Sequence, residues 1–264
     1  MNGSAEGSGG KAITIKSRDE IRIMEEANRI VAEVLTLLEK TVAPGITTLE
    51  LDQLAEELCR KRGAVPAFKG YRGFPGSLCV SINEEVVHGI PSRKRKLKKG
   101  DIISVDFGTL YKGYYGDSAV TIPVGRIDSV KHKLLKVTEE SLMKAIERVV
   151  AGNRVSDISA AVQDHVEKNG LAIVRQFVGH GIGSSLHEAP EIPNFVQGSG
   201  SPRLQEGMVV AIEPMVNVGT HKVRVLRDGW TVVTCDNKPS AHFEHSVAVT
   251  GEGPLVLSSR EAFS

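Results

Sequence analysis

Apolar residues recur with a helical period near the start of the chain. They share one helix face at Ile21, Met24, Ala27, Val31, Val34, Leu35 and Leu38, the spacing of an amphipathic helix. Ser17 and Glu20 form a capping-box pattern, so this helix is predicted to begin after Ser17 and to end before Ala43–Gly45. A second such pattern, Thr47 with Glu50, predicts a helix that runs to about Arg62.

Runs of apolar and β-branched residues predict strands in the rest of the chain. They lie at 78–82, 85–88, 102–110, 114–124, 171–178, 207–217, 230–235 and 242–250, and helical periodicity returns at 130–150 and 156–169. The order helices, strands, helices, strands predicts one α+β domain over residues 12–264. Residues 1–11 are rich in Gly and Ser, and we expect a flexible tail there.

Composition narrows the class of protein. The chain has 264 residues with 33 Lys and Arg against 32 Asp and Glu, so no global charge favours DNA or an anionic membrane. The apolar fraction of 41% argues against disorder, and no run approaches the ~20 apolar residues of a membrane span. Three cysteines without motif spacing and a start unlike a signal peptide favour a reducing, cytoplasmic setting.

Acidic residues stand inside several strand-like runs. Asp106 and Asp117 flank a turn centred on either Tyr111-Lys112 or Lys112-Gly113, and in both registers they share one face of a hairpin. Glu213 and Glu244 lie in the apolar runs 207–217 and 242–250. For the hairpin by itself, two acidic side chains that face solvent are the simpler explanation. Four such acids together favour a divalent metal centre, because buried carboxylates are costly without a cation.

Three histidines are candidates for the same site. His180 stands between two glycines, which let a ligand approach the backbone closely. His187 follows seven positions later, and His88 ends another strand-like run. One imidazole with four carboxylates suits Mn, Fe, Co or Zn, and the absence of thiolate spacing argues against a structural zinc site.

The motifs together resemble those of the type I methionine aminopeptidases, a group of metallopeptidases. They are Asn83–Pro91, Val105–Gly108, Gly116–Asp117, Gly179–Gly183 with His187-Glu188, Ile212–Met215 and His242–His245, in the family's order. The resemblance extends from about residue 12 to 258. It implies the pita-bread fold, a pseudo-twofold antiparallel sheet covered by helices with a dinuclear metal site at its centre.

The resemblance also implies a role for each site residue. The ligands of two divalent ions (Co, Mn, Fe or Zn) would be Asp106, Asp117, His180, Glu213 and Glu244, with Asp117 and Glu244 bridging. Glu213 would also accept the proton of the attacking water, His187 would polarise the scissile carbonyl, and His88 would help to protonate the leaving amine. The expected reaction removes the initiator methionine from nascent polypeptides whose second residue is small.

A methionine pocket and a monovalent cation are implied in the same way. The pocket positions are Tyr71, Phe74, Cys79, Phe177 and Trp230, although aromatic residues at strand ends are often simply core. Phe74 and Leu186 replace the Tyr and Phe that many members carry, so the shape of this pocket is expected to differ. A structural Na or K ion would bind backbone carbonyls near Asn83, Glu85 and Ser240.

One loop concentrates positive charge. Its basic residues are Arg93, Lys94, Arg95, Lys96, Lys98 and Lys99. A solvated loop is the simpler explanation. The alternative is a patch that binds ribosomal RNA transiently where the substrate emerges. The family resemblance otherwise implies a monomer that acts on nascent N-termini.

Two other functions are compatible with the same fold. Xaa-Pro aminopeptidases and prolidases carry a separate N-terminal domain and another histidine pattern, which this sequence does not suggest. A non-catalytic ribosome-associated module would be expected to lose ligands, and all five are present. Type II methionine enzymes insert a helical segment between the His and Glu ligands, whereas only 33 positions separate His180 from Glu213. The short bacterial type I form is therefore the expected match.

Overall fold

Four helices form where the periodicity predicts them. The computed structural model describes residues 12–198 and 200–263, so the predicted tail at 1–11 lies outside the described residues. The helices are α1 Arg18–Thr41, α2 Thr48–Lys61, α3 Ser129–Ile146 and α4 Val155–Lys168, with short 3₁₀ helices at Tyr71–Gly73 and Glu261–Phe263. Both predicted capping boxes are present, because the side chains of Ser17 and Thr47 each accept from the third helical amide.

Short strands make up most of the remaining structure. They are β1 Val65–Pro66, β2 Cys79–Ile82, β3 Glu85–Val87, β4 Ile102–Tyr111, β5 Tyr114–Pro123, β6 Ala172–Ile173, β7 Gly179–Gly181, β8 Glu188–Ile192, β9 Val209–Ile212, β10 Met215–Asn217, β11 Val223–Val225, β12 Val232–Thr234, β13 Ser240–His242, β14 Glu244–Thr250 and β15 Gly253–Val256. A helix pair followed by strands thus occurs twice along the chain, and the α+β prediction is confirmed.

The main sheet is antiparallel and joins the two halves of the chain. Its order is β1-β4-β5-β14-β9-β7-β8, with β2 also paired to β4 and β15 to β14. Two three-stranded sheets, β13-β10-β6 and β11-β12-β3, lie beside it. The hairpin of β4 and β5 pairs Tyr111 with Tyr114, so its turn is centred on Lys112-Gly113. In this register Asp106 and Asp117 are diagonal neighbours on one face, one of the two predicted arrangements.

Three strand predictions are wrong in extent. Residues 207–217 form two strands because Pro214 lacks an amide and breaks the ladder after Ile212. The run 242–250 is likewise divided at Phe243, between β13 and β14. Only Ala172–Ile173 is strand within 171–178. The interruptions matter for function, because Glu213 and Glu244 lie at them.

A continuous apolar core supports the central strands. Its largest cluster contains side chains from Ile30 in α1 to Val249 in β14, and α1 packs across β4 and β5. A second cluster surrounds the cavity described below and includes Met24, Phe74 and Leu186. No helix within the described residues is long and apolar enough to cross a membrane.

Candidate metal centre and substrate cavity

Neighbouring strands of the main sheet bring the predicted ligands together. Asp106 lies on β4, Asp117 on β5, Glu244 on β14 and His180 on β7, while Glu213 directly follows β9. These five strands are adjacent in the order β4-β5-β14-β9-β7. Residues as distant in sequence as Asp106 and Glu244 therefore meet in the middle of one sheet.

Glu213 occupies the point where its strand breaks. Asn194 donates from Nδ2 to the Glu213 carbonyl at 3.0 Å, which satisfies a main-chain oxygen near the end of the ladder. The Glu213 carboxylate lies between two imidazoles: His180 Nε2 is 3.7 Å from Oε1, and His242 Nε2 is 3.5 Å from Oε2. The strand break at Pro214 thus leaves the Glu213 carboxylate between two histidines.

Glycines beside the ligands allow close backbone approach. A Cβ at Gly116, just before Asp117, would lie 2.8 Å from the Asn28 amide nitrogen of α1. Asn28 in turn accepts the Asp117 amide through Oδ1 at 3.2 Å. On β7, a Cβ at Gly179 would lie 2.3 Å from the Ala211 carbonyl oxygen. Close packing of the neighbouring backbone therefore requires glycine at both positions.

All twelve residues predicted for metal binding, catalysis or the methionine pocket line a single cavity of about 280 Å³. Ligand atoms of Asp117, His180 and Glu244 lie within 4.8 Å of one another, and all three residues are buried. Asp106 and Glu213 line the same cavity, and these five side chains together form what we call its acidic wall. The structure thus places the five ligand-type side chains around one small volume.

A contact with its own main chain fixes the orientation of the His180 ring. Its Nδ1 lies 2.9 Å from the Gly181 carbonyl oxygen. Because a carbonyl only accepts hydrogen bonds, Nδ1 carries the ring proton and Nε2 keeps its lone pair. This second contact is typical of histidines that bind metals.

The carboxyl groups are poorly accommodated without a cation. Burial raises the pKa of Asp106, Asp117 and Glu244 well above ordinary carboxyl values, and repulsion from neighbouring carboxylates acts in the same direction. Burial also pushes the pKa of Glu213 upward. Contacts with His242 and His180 outweigh that effect, so its pKa lies below the usual range. Glu213 therefore remains ionised at neutral pH.

Unpaired buried oxygens test whether a metal fits this site. Asp106 Oδ1, Asp117 Oδ1 and Glu244 Oε1 are buried without a hydrogen-bond partner. Buried polar atoms normally have partners, and buried charges are paired or coordinate metals. Oxygen atoms together with one imidazole suit first-row divalent ions. The donor set of this structure fits a divalent metal site.

Two histidines stand at the opening of the cavity. His187 is exposed at the rim, and the Tyr71 hydroxyl lies 3.0 Å from its Nδ1. Desolvation of the ring where it meets the cavity, reinforced by nearby His180, lowers the pKa of His187 to about 4, so it is neutral at pH 7. His88 has a left-handed backbone with φ of 60°, and burial also lowers its pKa. Both rings can therefore exchange hydrogen bonds as neutral imidazoles.

Aromatic residues form the apolar side of the cavity. Phe74 packs edge-on against Trp230 with ring centroids 5.2 Å apart, and Phe177 packs against His88 at 5.5 Å. Cys79 lies opposite Asp106 in the β2–β4 ladder, and burial raises the pKa of its thiol. Cys79 therefore contributes a neutral, apolar surface.

Sequence reasoning missed several neighbours of the site. His242 stands two positions before Glu244, and its 3.5 Å contact with Glu213 depends on where the strands break and bring the two residues together. Further cavity residues are Phe68, Arg72, Val87, Val178 and Met215. A signal for Arg72 existed in its position between Gly70 and Gly73, which predicts a tight loop.

The basic loop lies apart from the acidic wall. Arg93, Lys94, Lys96, Lys98 and Lys99 are exposed. Arg95 differs, because its Nη1 lies 2.8 Å from Glu85 Oε1. The exposed positive charge of the loop therefore comes mainly from the other five residues.

Carboxylates and an imidazole gathered on one sheet of an α+β fold are characteristic of a metal-dependent enzyme. The sequence model of metallopeptidase family M24 matches residues 22–251. The chain belongs to this family.

Individual relatives show how similar the chain is to methionine aminopeptidases. The chain is 52% identical over 246 residues to the methionine aminopeptidase of Clostridium acetobutylicum, covering 93% of this chain and 98% of the relative. It is 54% identical over 246 residues to methionine aminopeptidase 1 of Bacillus subtilis, covering 93% and 99%. These likenesses confirm the family resemblance seen in the motifs.

Solved structures support the same fold. The methionine aminopeptidase of Thermotoga maritima superposes with a TM-score of 0.92 at 44% identity, covering 94% of this chain and all of that one. The prolidase of Pyrococcus furiosus has a TM-score of 0.76 at 23% identity, and the match covers 66% of its chain. The second likeness concerns the fold alone. The predicted pita-bread architecture is confirmed.

Proposed function

We propose that this chain is a metal-dependent aminopeptidase that removes the initiator methionine from new polypeptides whose second residue is small. The observation that carries the proposal is the single cavity where five ligand-type side chains face an aromatic wall. Relatives of about 50% identity that span the same length bear the name methionine aminopeptidase. We further propose that residues 12–264 act as one catalytic domain.

The acidic wall supports a pair of divalent ions. Asp106, Asp117, His180, Glu213 and Glu244 would hold them, with Asp117 and Glu244 shared. When bound, such ions supply Lewis acidity and make water more acidic. Availability would decide among Co, Mn, Fe and Zn, because this donor set suits all four. A Na or K ion bound by carbonyls near Asn83, Glu85 and Ser240 belongs to the same proposal.

Glu213 would handle the proton of the attacking water. Its carboxylate is ionised at neutral pH because His242 and His180 lower its pKa. It can therefore accept a proton from water that attacks the first peptide bond, and later return it to the leaving amine. We expect Glu213→Ala to lose more activity than His187→Ala. Equal losses with unchanged metal content would contradict the role of Glu213.

The rim histidines would contact the peptide. When the Tyr71 hydroxyl donates to His187 Nδ1, the ring proton lies on Nε2, which can donate to the scissile carbonyl oxygen as charge develops there. His88 would hydrogen-bond the nitrogen of the same peptide bond. Its place between Phe177 and Trp230 keeps the ring at the cavity edge.

The aromatic wall would receive the methionine side chain. A thioether chain is flexible and polarisable, so it packs well against aromatic rings. Tyr71, Phe74, Cys79, Phe177 and Trp230 supply that surface. The small volume of the cavity supports the preference for a single apolar side chain with its free amino group at the metal end.

Peptide hydrolysis with defined metal loading tests this proposal. Protein would be prepared with a chelator, reloaded with Mn or Co, and offered Met-Gly-Met, Leu-Gly-Met and Ala-Pro-Met peptides. We expect metal-dependent release of methionine from the first peptide and little cleavage of the others. Cleavage of the Xaa-Pro peptide alone would favour a proline-specific enzyme. Metal binding without hydrolysis of any peptide would favour a non-catalytic module.

The exposed basic loop supports a transient contact with ribosomal RNA. Phosphate attraction would concentrate the enzyme where nascent chains emerge. Reversing charge at Lys94 and Lys96 should weaken co-sedimentation with ribosomes in a salt-dependent way, and reversing Lys133 and Lys136 on α3 provides a matched control. Unchanged co-sedimentation would dismiss the patch. We propose that the protein acts as a monomer in the cytoplasm, as the family resemblance implies.

A further inference from the structure

A buried ion pair joins the start of the described chain to the loop that carries His187. Lys16 Nζ lies 2.7 Å from Glu188 Oε2, and the two side chains are only 2% and 9% exposed. The Lys16 amide also donates to the Gly207 carbonyl at 2.8 Å. Glu188 directly follows His187, so the ammonium group binds next to a rim histidine without lining the cavity itself.

The loop is shaped around this pair. The other carboxylate oxygen of Glu188 accepts the Ser185 amide at 3.0 Å, which closes the turn that leads to His187. A Cβ at Gly183 would lie 2.5 Å from Lys16 Cε and 2.6 Å from Glu188 Oε1. Gly183 therefore leaves the space through which the lysine reaches the glutamate.

The same loop is attached to the ligand strands. The Gly183 carbonyl accepts the Tyr115 amide of β5 at 2.9 Å, and the Ile182 amide donates to Val209 at 3.1 Å. These bonds fix the part of the loop near His180. Nearer His187, the main chain of Glu188 pairs with Gly181 at the start of β8, and the Tyr71 hydroxyl contacts His187. The turn between them is closed by the Glu188 carboxylate, which Lys16 holds.

We propose that Lys16 is a positioning residue for His187: through its ion pair with Glu188 it sets where the imidazole stands over the cavity. The inference rests on the proposed function, in which His187 contacts the scissile carbonyl. Removing one member of a buried ion pair leaves an uncompensated charge, and the remaining carboxylate must move toward water. The turn from Ser185 to Glu188 would move with it and displace the imidazole.

Kinetics of Lys16→Met and Glu188→Gln test the inference. We expect each variant to lower kcat on a Met-Ala peptide by about 10- to 100-fold, since small misplacements can cost 10²-fold, with KM changed less than kcat. In a His187→Ala background, Lys16→Met should cost less than about twofold, because coupled residues are not additive. An equal loss in both backgrounds would overturn the inference.

A neutral pair separates positioning from stability. Lys16→Met with Glu188→Met replaces the ion pair by apolar side chains, which often restores stability, but it cannot accept the Ser185 amide. We expect its melting temperature to recover while kcat stays low. Recovery of both would mean that Lys16 only stabilises the fold. Lys112→Met, which breaks the exposed 2.7 Å pair with Glu26, is the matched control and should leave kcat unchanged.

Amide hydrogen exchange provides a measure that does not depend on hydrolysis. Exchange in residues 183–188 should rise in Lys16→Met while residues 104–120 stay protected. Unchanged exchange in 183–188 would overturn the inference even if the enzyme proved active on other peptides. A wild-type protein that cleaves no Met peptide, yet shows the exchange response, would contradict the proposed function and leave the mechanical link between Lys16 and the loop intact.

Discussion

The acidic wall and the rim of the cavity are held in different ways. The ligands lie in or next to the main sheet, where strands from both halves of the chain pair directly. Residues at the rim, such as Arg72, His88 and Trp230, lie on loops that are held by contacts with residues nearby in sequence. Arg72 and His88 adopt left-handed backbones with φ of 49° and 60°, and Trp230 follows a turn in which Asp228 accepts its amide at 2.9 Å.

This difference separates the chemistry from substrate choice. A sheet ladder holds the carboxylates in one arrangement, whereas loops can change sequence with little effect on the fold. Phe74 and Leu186, which depart from the common family pattern, both lie on the apolar side of the cavity. The acidic wall carries no such departure. Changes in the wall should therefore affect metal binding and turnover, and changes in the rim should affect affinity or rate in smaller steps.

The largest expected effect comes from the wall. Asp117→Asn should lower metal stoichiometry and reduce kcat/KM by more than about 100-fold, because even the outer partners of metal ligands are worth 10- to 100-fold. Calorimetric metal titration and peptide hydrolysis would measure both. Asp164→Asn on the exposed face of α4 is the control. Full activity in Asp117→Asn would remove the basis for the comparison.

A rim aromatic should act mainly on affinity. Trp230→Ala removes the ring that packs against Phe74 at 5.2 Å, and we expect KM for a Met-Ala peptide to rise by about tenfold, within the range typical of lost apolar pocket contacts. Metal content should stay unchanged. Phe195→Ala, which lies under Arg175 outside the cavity, should change neither. Loss of metal in Trp230→Ala would mean that wall and rim are not independent.

A single hydroxyl on the rim should have a smaller effect. Tyr71→Phe keeps the ring but removes the 3.0 Å contact with His187 Nδ1. We expect kcat to fall by about three- to tenfold, as for the loss of one hydrogen bond of ~1 kcal/mol. In a His187→Ala background the same substitution should have almost no effect. If Tyr71→Phe still lowers kcat in that background, Tyr71 acts through the methionine pocket and not through His187.

The smallest effect is a pH-dependent change in stability of the metal-free protein. The folded-state pKa of Glu244 is raised above its ordinary value of 4.5, so the folded state binds the proton more tightly than the unfolded state. The contribution of Glu244 to the free energy of unfolding is therefore complete below pH 4.5 and is lost as the pH rises through the folded-state pKa. Relative to Glu244→Gln, the wild type should lose a few degrees of melting temperature, at roughly 2–4 °C per kcal/mol.

Scanning calorimetry in chelator from pH 4 to 8 would measure that difference. Adding Mn to both proteins is the control, and the wild type should gain more than the variant. Parallel curves without metal would show that Glu244 is not strained by its neighbours.

The sequence signals for the residues that line this cavity are mostly local. A capping box, a hairpin turn near Lys112 and acids inside apolar runs can each be recognised from a few residues. The exact centre of that turn was decided by the pairing of Tyr111 with Tyr114. The strand breaks at Pro214 and Phe243 are harder, because the runs around them remain apolar on both sides. Lys16 shows the limit most clearly, since nothing near it in sequence indicates a partner at Glu188.

Two serines have a consequence for the choice of metal. Ser118 donates to the Glu244 carbonyl at 2.5 Å, and Ser246 donates to the Asp117 carbonyl at 2.8 Å. These reciprocal bonds oppose sliding of β5 against β14. Because Glu244 pairs with Ala119, Asp117 and Glu244 are diagonal neighbours in this ladder, and the strand register therefore sets the distance between their carboxylates. At the proposed site, ions of different radius would then be accommodated by rotation of the carboxylates. The backbone would act as a fixed frame that several metals can fit, and supply would select among them.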